Sequence, residues 1–223
     1  GRLPEARALL YEETVDILLS HWEEIKTDGR EETPRLRALL QAAGRTDLDL
    51  KRALWHIAYQ AHKEGGAGDD KVADIGEFTL QKSLANLHPA KDHGWAQQLI
   101  QTMKLRAGLL LERKPEVFSF PHRTFQEYLA GAYLSSQSGF ARQARELIAE
   151  GVMWRETILL AVGRLVYLSG DIDKPVALVG ELCPEREPTD DVGWRGVWIA
   201  GEILVEMGLN RVNESSLGQE LAV

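Results

Sequence analysis

LLLERKPEVFSFPHRTFQEYLA, residues Leu109–Ala130, is the stretch on which the reading of this 223-residue chain turns. Leu109 to Arg113 and Val117 to Phe120 are short apolar-rich runs flanking Lys114-Pro115-Glu116, the composition of a β-hairpin. The period then changes. Phe125, Tyr128 and Leu129 fall three and four residues apart, which places them on one face of a helix expected from about His122 to Ser136. They read as core, with Phe120. A strand that runs straight into a helix leaves His122 beside the helix N-terminus, where backbone N–H groups and the dipole favour an anion.

Upstream, Tyr11, Val15, Leu18 and Trp22 make one stripe of a helix from Glu5 to about Lys26, widened by Leu10 and Ile17. Pro4 suits its first turn, and Asp28-Gly29 its end. Thr33-Pro34 opens a short helix to about Ala43, closed by Gly44. Asp47 is expected to cap a third, with Leu50, Leu54, Ile57 and Ala61 on one face. The loop Gly65 to Asp70 marks a boundary. After it come a short segment around Ala73 to Ile75, a helix from about Glu77 to Leu87, a break at Pro89/Gly94, and a helix from about Trp95 to Arg106 ended by Gly108. Two helices closed by a hairpin are the element order of a winged helix.

Downstream, helices are expected at about Ala141 to Glu150, Trp154 to Leu168, Lys174 to Leu182 and Gly193 to Met207, with a polar tail from Asn210. Short connections between paired helices suggest HEAT-like hairpins. The expected fold is therefore mainly α: a helical bundle over residues 1–64, a winged-helix domain with a small β-hairpin over 65–136, and a HEAT-like helical region over 137–223.

Composition narrows the function. A 44% hydrophobic and 27% charged chain is an ordinary globular protein. Its net charge of −8 argues against a nucleic-acid partner, because phosphate contacts need clustered cations. The single cysteine, Cys183, forms no intramolecular disulfide and favours a reducing cytoplasm. No apolar run reaches membrane-span length, and no membrane partner is expected. The first residue is not Met, as expected of an excised fragment or a processed chain. No G-x-x-x-x-G-K-[ST] stretch exists to hold phosphates. His56 and His62 read as helix-surface residues; neither a metal site nor a catalytic residue is expected, so the chain is read as no enzyme by itself.

Phe120-Pro121-His122-Arg123-Thr124-Phe125-Gln126-Glu127-Tyr128-Leu129-Ala130 resembles the winged-helix signature of NACHT proteins, F-x-H-x-T-F-Q-E-Y-L-A-A, departing from it at Gly131. That departure bears on helix packing more than on chemistry. Leu3 to Glu12 is similar to the helix after the ATPase core of that family, and Trp154-Arg155-Glu156 to the start of its following helical region. The resemblance implies the part of a STAND-class signal-transduction NTPase C-terminal to its ATPase core, in bacterial defence or signalling. It implies a winged helix that senses ADP and controls switching and oligomerisation. His122 would then touch the ADP β-phosphate, with Arg123 a weaker phosphate neighbour. The isolated chain would hold no cofactor; ADP or ATP with Mg would belong to the parent, whose upstream NACHT ATPase domain is the implied partner. The sensor ligand is unknown.

Other readings stay open on the residues themselves. His122 could only cap its helix. Gln126 and Glu127 could face the ATPase core or water. Trp154 and Trp194 read as anchors at helix starts, and Arg7 and Glu12 as surface or interface residues. The winged helix could be a DNA-binding regulator reading through Trp95 to Arg106, which carries as cations only Lys104 and Arg106, with Arg113 and Lys114 on the wing. Or the chain could be a purely structural helical scaffold for protein interactions.

Overall fold

Helix α3 (Asp47–Glu64) shows how closely local sequence dictates this fold. Its N-cap is Thr46 rather than Asp47: the Thr46 hydroxyl accepts the Asp49 N–H, and the Asp49 carboxylate accepts the Thr46 N–H at 2.8 Å. This reciprocal capping box satisfies two amides that the helix cannot. Leu50, Leu54, Ile57 and Ala61 are buried along one face as expected, but so is His62, which is not a surface residue.

The computed structural model describes residues 7–20, 36–65, 72–106, 109–208 and 211. Expectations placed on Pro4, Trp22, Asp28-Gly29, Thr33-Pro34, Gly66 to Asp70, Gly108 and Asn210 lie outside these. The chain divides into two compact units, residues 12–130, and residues 1–11 with 131–223.

The first unit holds most of α1 (Arg7–Ser20), then α2 (Leu36–Ala42), α3, β1 (Ile75–Gly76), α4 (Glu77–Ala85), α5 (His93–Arg106), β2 (Leu111–Lys114), β3 (Val117–Ser119) and the first turns of α6 (Arg123–Ser135). In α1, Val15 is buried whereas Leu10 and Ile17 are exposed. At about 100° per residue, both lie on the far side of the helix from Val15, so they do not widen its apolar stripe.

The hairpin β2–β3 forms as expected, and its turn carries Glu116 at φ +64°. The segment before α4 adds a third strand: β1 pairs antiparallel with β3, Ile75 opposite Phe118 and Gly76 opposite Val117, giving the order β1-β3-β2. Helix α5 begins before Gly94, which is therefore no break; the Asp92 carboxylate accepts the Trp95 N–H at 3.0 Å and starts the helix. Helix α4 packs against α5 and α3, with Leu80, Leu84, Leu99, Ile100 and Met103 in a core that Phe118 and Phe120 close. The buried Trp95 indole donates to the Leu39 carbonyl at 3.0 Å and ties α5 to α2.

The second unit holds α7 (Phe140–Glu150), α8 (Arg155–Arg164), α9 (Asp173–Leu182) and α10 (Asp191–Met207). Trp154, wholly buried, ends a 3-10 turn before α8, and α8 runs into a π-type turn that Gly170 closes at φ +65°. Helix α7 packs on α9, α9 on α10 and α10 on α8. Gly131 is needed for that core: a Cβ there would stand 2.7 Å from the Thr157 carbonyl oxygen of α8. The whole is mainly α, with one small antiparallel sheet among the described residues.

Candidate functional site

The site expected from the sequence is the junction of β3 and α6. Phe120 is fully buried at the end of β3, its ring centroid 6.3 Å from that of Phe125 one turn into α6. With both rings fixed in the core, Pro121 and His122 bridge Phe120 and the helix, Pro121 half-buried and His122 at the surface. His122 is exposed, and its carbonyl accepts the Gln126 N–H at 3.1 Å, the first rung of α6. Its ring therefore projects beside the helix N-terminus, where partial positive charge gathers. Arg123, the other expected site residue, is partly exposed and directs its Nε to the Glu127 carboxylate at 2.9 Å. Its charge is shared with Glu127 from the outset.

Sequence reasoning missed what holds this helix. Gln126 and Glu127 are both buried, so neither faces water. The Gln126 side-chain oxygen accepts the Ala73 N–H at 3.1 Å and fastens α6 to the segment leading into β1. One turn on, the Tyr128 hydroxyl donates to Glu12 of α1. Glu12 in turn accepts from Lys51 Nζ of α3 at 3.1 Å, and Lys51 also pairs with Asp16. Burial pulls the Lys51 amine down, but its bonds to Asp16 and Glu12, with their charges, outweigh that and hold it above its ordinary value. Three helices are thus joined through one half-buried ion cluster that reaches α6 at Tyr128. The visible signal was the acid pair Glu12 and Asp16, four residues apart on α1; the answering cation lies 39 residues from Glu12.

Helix α5 and the wing, the elements a DNA-reading winged helix would use, have little to offer phosphate. Helix α5 exposes Gln97, Gln98 and Gln101, and Lys104 is ion-paired with Glu112 of β2. Arg113 on the wing donates to the Ser119 hydroxyl at 2.6 Å. Two of the four cations that a DNA-reading surface would use are already engaged.

The family model of the winged helix-turn-helix domain C-terminal to NACHT matches residues 7–134, more than half of the chain. The chain belongs to that family. Within this NACHT-associated winged helix the match ends at Leu134, inside α6, so the segment of His122 and its supporting cluster all fall in the matched span. The family is defined by a domain C-terminal to NACHT, not by the catalytic NTPase domain. No curated protein matches the chain, and no solved structure does. Among the described residues, no group of three His, Cys, Asp or Glu side chains could hold a metal ion, and no helix is long and apolar enough to cross a membrane.

Proposed function

We propose that the chain is the regulatory part of a STAND-class signal-transduction NTPase, in which the winged helix reads ADP held by an upstream NACHT ATPase domain. His122 donates to the β-phosphate in the resting state, and loss of that contact when ATP with Mg replaces ADP releases the switch. Residues 1–64 act as the helical domain after the ATPase core, 65–136 as the sensing winged helix and 137–223 as the start of a helical sensor region. The chain works in the cytoplasm, takes no nucleic-acid partner, and binds no nucleotide by itself. Arg123 contributes less, because it shares its charge with Glu127.

One observation carries this reading. His122 is exposed at the first turn of α6 while the residues around it, Phe120, Phe125, Gln126 and Glu127, are buried. The fold fixes the backbone on both sides of that ring and leaves the ring itself available.

The test is ADP retention by the protein that contains the ATPase domain. A hydrogen bond to a charged acceptor is worth roughly 1.5–3 kcal/mol. At about 1.4 kcal/mol per factor of ten, His122→Ala should speed ADP release by roughly 10- to 100-fold. Release at the wild-type rate would leave the winged helix a structural scaffold.

A further inference from the structure

Gln126 is a polar residue that α6 buries in its first turn, 2% exposed. Burying a carboxamide costs free energy unless its polar atoms are bonded, and an apolar side chain would fill the same space without that cost. The bonds it makes are therefore its reason to be there. Its side-chain oxygen accepts the Ala73 N–H at 3.1 Å, and its own N–H donates to the His122 carbonyl at 3.1 Å. One residue thus joins the segment entering β1 to the residue that the site exposes.

Ala73 is a firm anchor for that bond. The end of α3 lies against it: a Cβ built on Gly65 would stand 2.7 Å from the Ala73 Cβ, so a side chain there would push the two apart. Two residues on, Ile75 pairs with Phe118 of β3. The strand that leads to His122 and the segment that holds Gln126 are therefore neighbours in one sheet. The first turn of a helix otherwise frays, because its leading N–H groups have no carbonyl partner within the helix. Buried Phe120 fixes His122 from the strand side, and the bond between Ala73 and Gln126 fixes it from the helix side.

We propose that Gln126 is the positioning residue of the sensor, and that through it the segment entering β1 sets how firmly His122 is presented to the ADP phosphate. The inference rests on the nucleotide-sensing reading of His122 and names what controls that site. A donor held in place before it meets its acceptor loses less freedom on binding. Without the Ala73 bond the turn must be ordered as it meets the phosphate. The contact then weakens by about one neutral hydrogen bond, roughly 2- to 10-fold in affinity. Drawing Ala73 away from α6 has the same effect, which makes the start of β1 a control point of the site.

Two variants cut the bond from either end. Gln126→Met keeps the length of the side chain and removes the acceptor, and Ala73→Pro removes the donor. In the full 223-residue chain, nuclear magnetic relaxation gives the backbone order parameter of His122, about 0.85 where backbone is rigid and below about 0.6 where it is flexible. It should lie near the rigid value in the wild type and fall toward the flexible one in both variants. The α5 amides should stay near about 0.85, which checks the fold. In the protein that contains the ATPase domain, either variant should release ADP roughly 2- to 10-fold faster, and add nothing on a His122→Ala background. A His122 that stays ordered in either variant overturns the proposal. So does faster release that persists on the His122→Ala background, the mark of a merely structural residue. Unchanged release by His122→Ala alone defeats the sensing reading instead, and the order parameter still decides whether Gln126 holds the residue.

Discussion

Replacing Lys51 by methionine removes the cation that Glu12 and Asp16 share behind α6. The side chains of Lys51 and Glu12 are 12% and 17% exposed, with Nζ 3.1 Å from the carboxylate. A hydrogen bond between charged groups so placed is worth about 1.5–3 kcal/mol. Asp16 is 58% exposed, so its share of the loss is at most about 0.5–1 kcal/mol. Methionine keeps most of the aliphatic stem. Lys51→Met should therefore cost about 2–3 kcal/mol, a fall of about 5–10 °C in Tm for a chain of this length. Tyr128→Phe, which removes the hydroxyl's bond to the Glu12 carboxylate but leaves Glu12 its lysine, should cost about 1.5–3 kcal/mol.

The decisive assay is a double-mutant cycle of Glu12→Gln with Lys51→Met, followed by urea unfolding. The pair should cost less than the sum of the singles by at least about 1 kcal/mol. The pH dependence has a definite sign: the folded Lys51 amine lies above its ordinary value, so its contribution is complete below about pH 10 and fades as pH rises through the folded value. A Lys51→Met variant with unchanged Tm, or a cycle that adds without coupling, would refute the idea that this cluster holds the three helices together.

Further outcomes follow from local packing and capping. Gly131→Ala should destabilise by about 1–3 kcal/mol in thermal or urea unfolding, because its Cβ would crowd the Thr157 carbonyl of α8 at 2.7 Å. Gly180→Ala in α9, where a Cβ meets nothing within 4 Å, should instead gain up to about 1 kcal/mol from helix propensity. Thr46→Ala should cost about 1 kcal/mol at neutral pH through loss of the cap. The backbone N–H and hydroxyl of Thr46 hold Asp49 below its ordinary value. Its contribution is therefore present above about pH 3.9 and lost as pH falls through the lower folded value, so Asp49→Asn and wild type should converge in acid unfolding curves.

The long periodic segments were legible because burial of one helical face writes itself into spacing, as in α3, and the short apolar runs Leu109 to Arg113 and Val117 to Phe120 located the wing. Features set by partners distant in sequence were not. A strand as short as Ile75–Gly76 has no alternation to read and exists because β3 lies beside it. Gln126 and Glu127 look like surface residues until Ala73 and Arg123 are placed against them. His62 stands four residues from Ala58 and eight from Leu54 on the buried face, and its polarity hid what that spacing shows. At the candidate site, the motif gave His122 its place and the structure supplied its support.

The proposed function has the winged helix dock on ADP held by another domain. Calorimetric titration of this chain into the separately purified upstream ATPase domain tests it most directly, with that domain loaded with ADP or with an ATP analogue and Mg. Tight association with the ADP-loaded domain is expected, weakened about tenfold or more by His122→Ala, the loss of one charged hydrogen bond. Equal binding of the two nucleotide states, unaffected by His122→Ala, would contradict it.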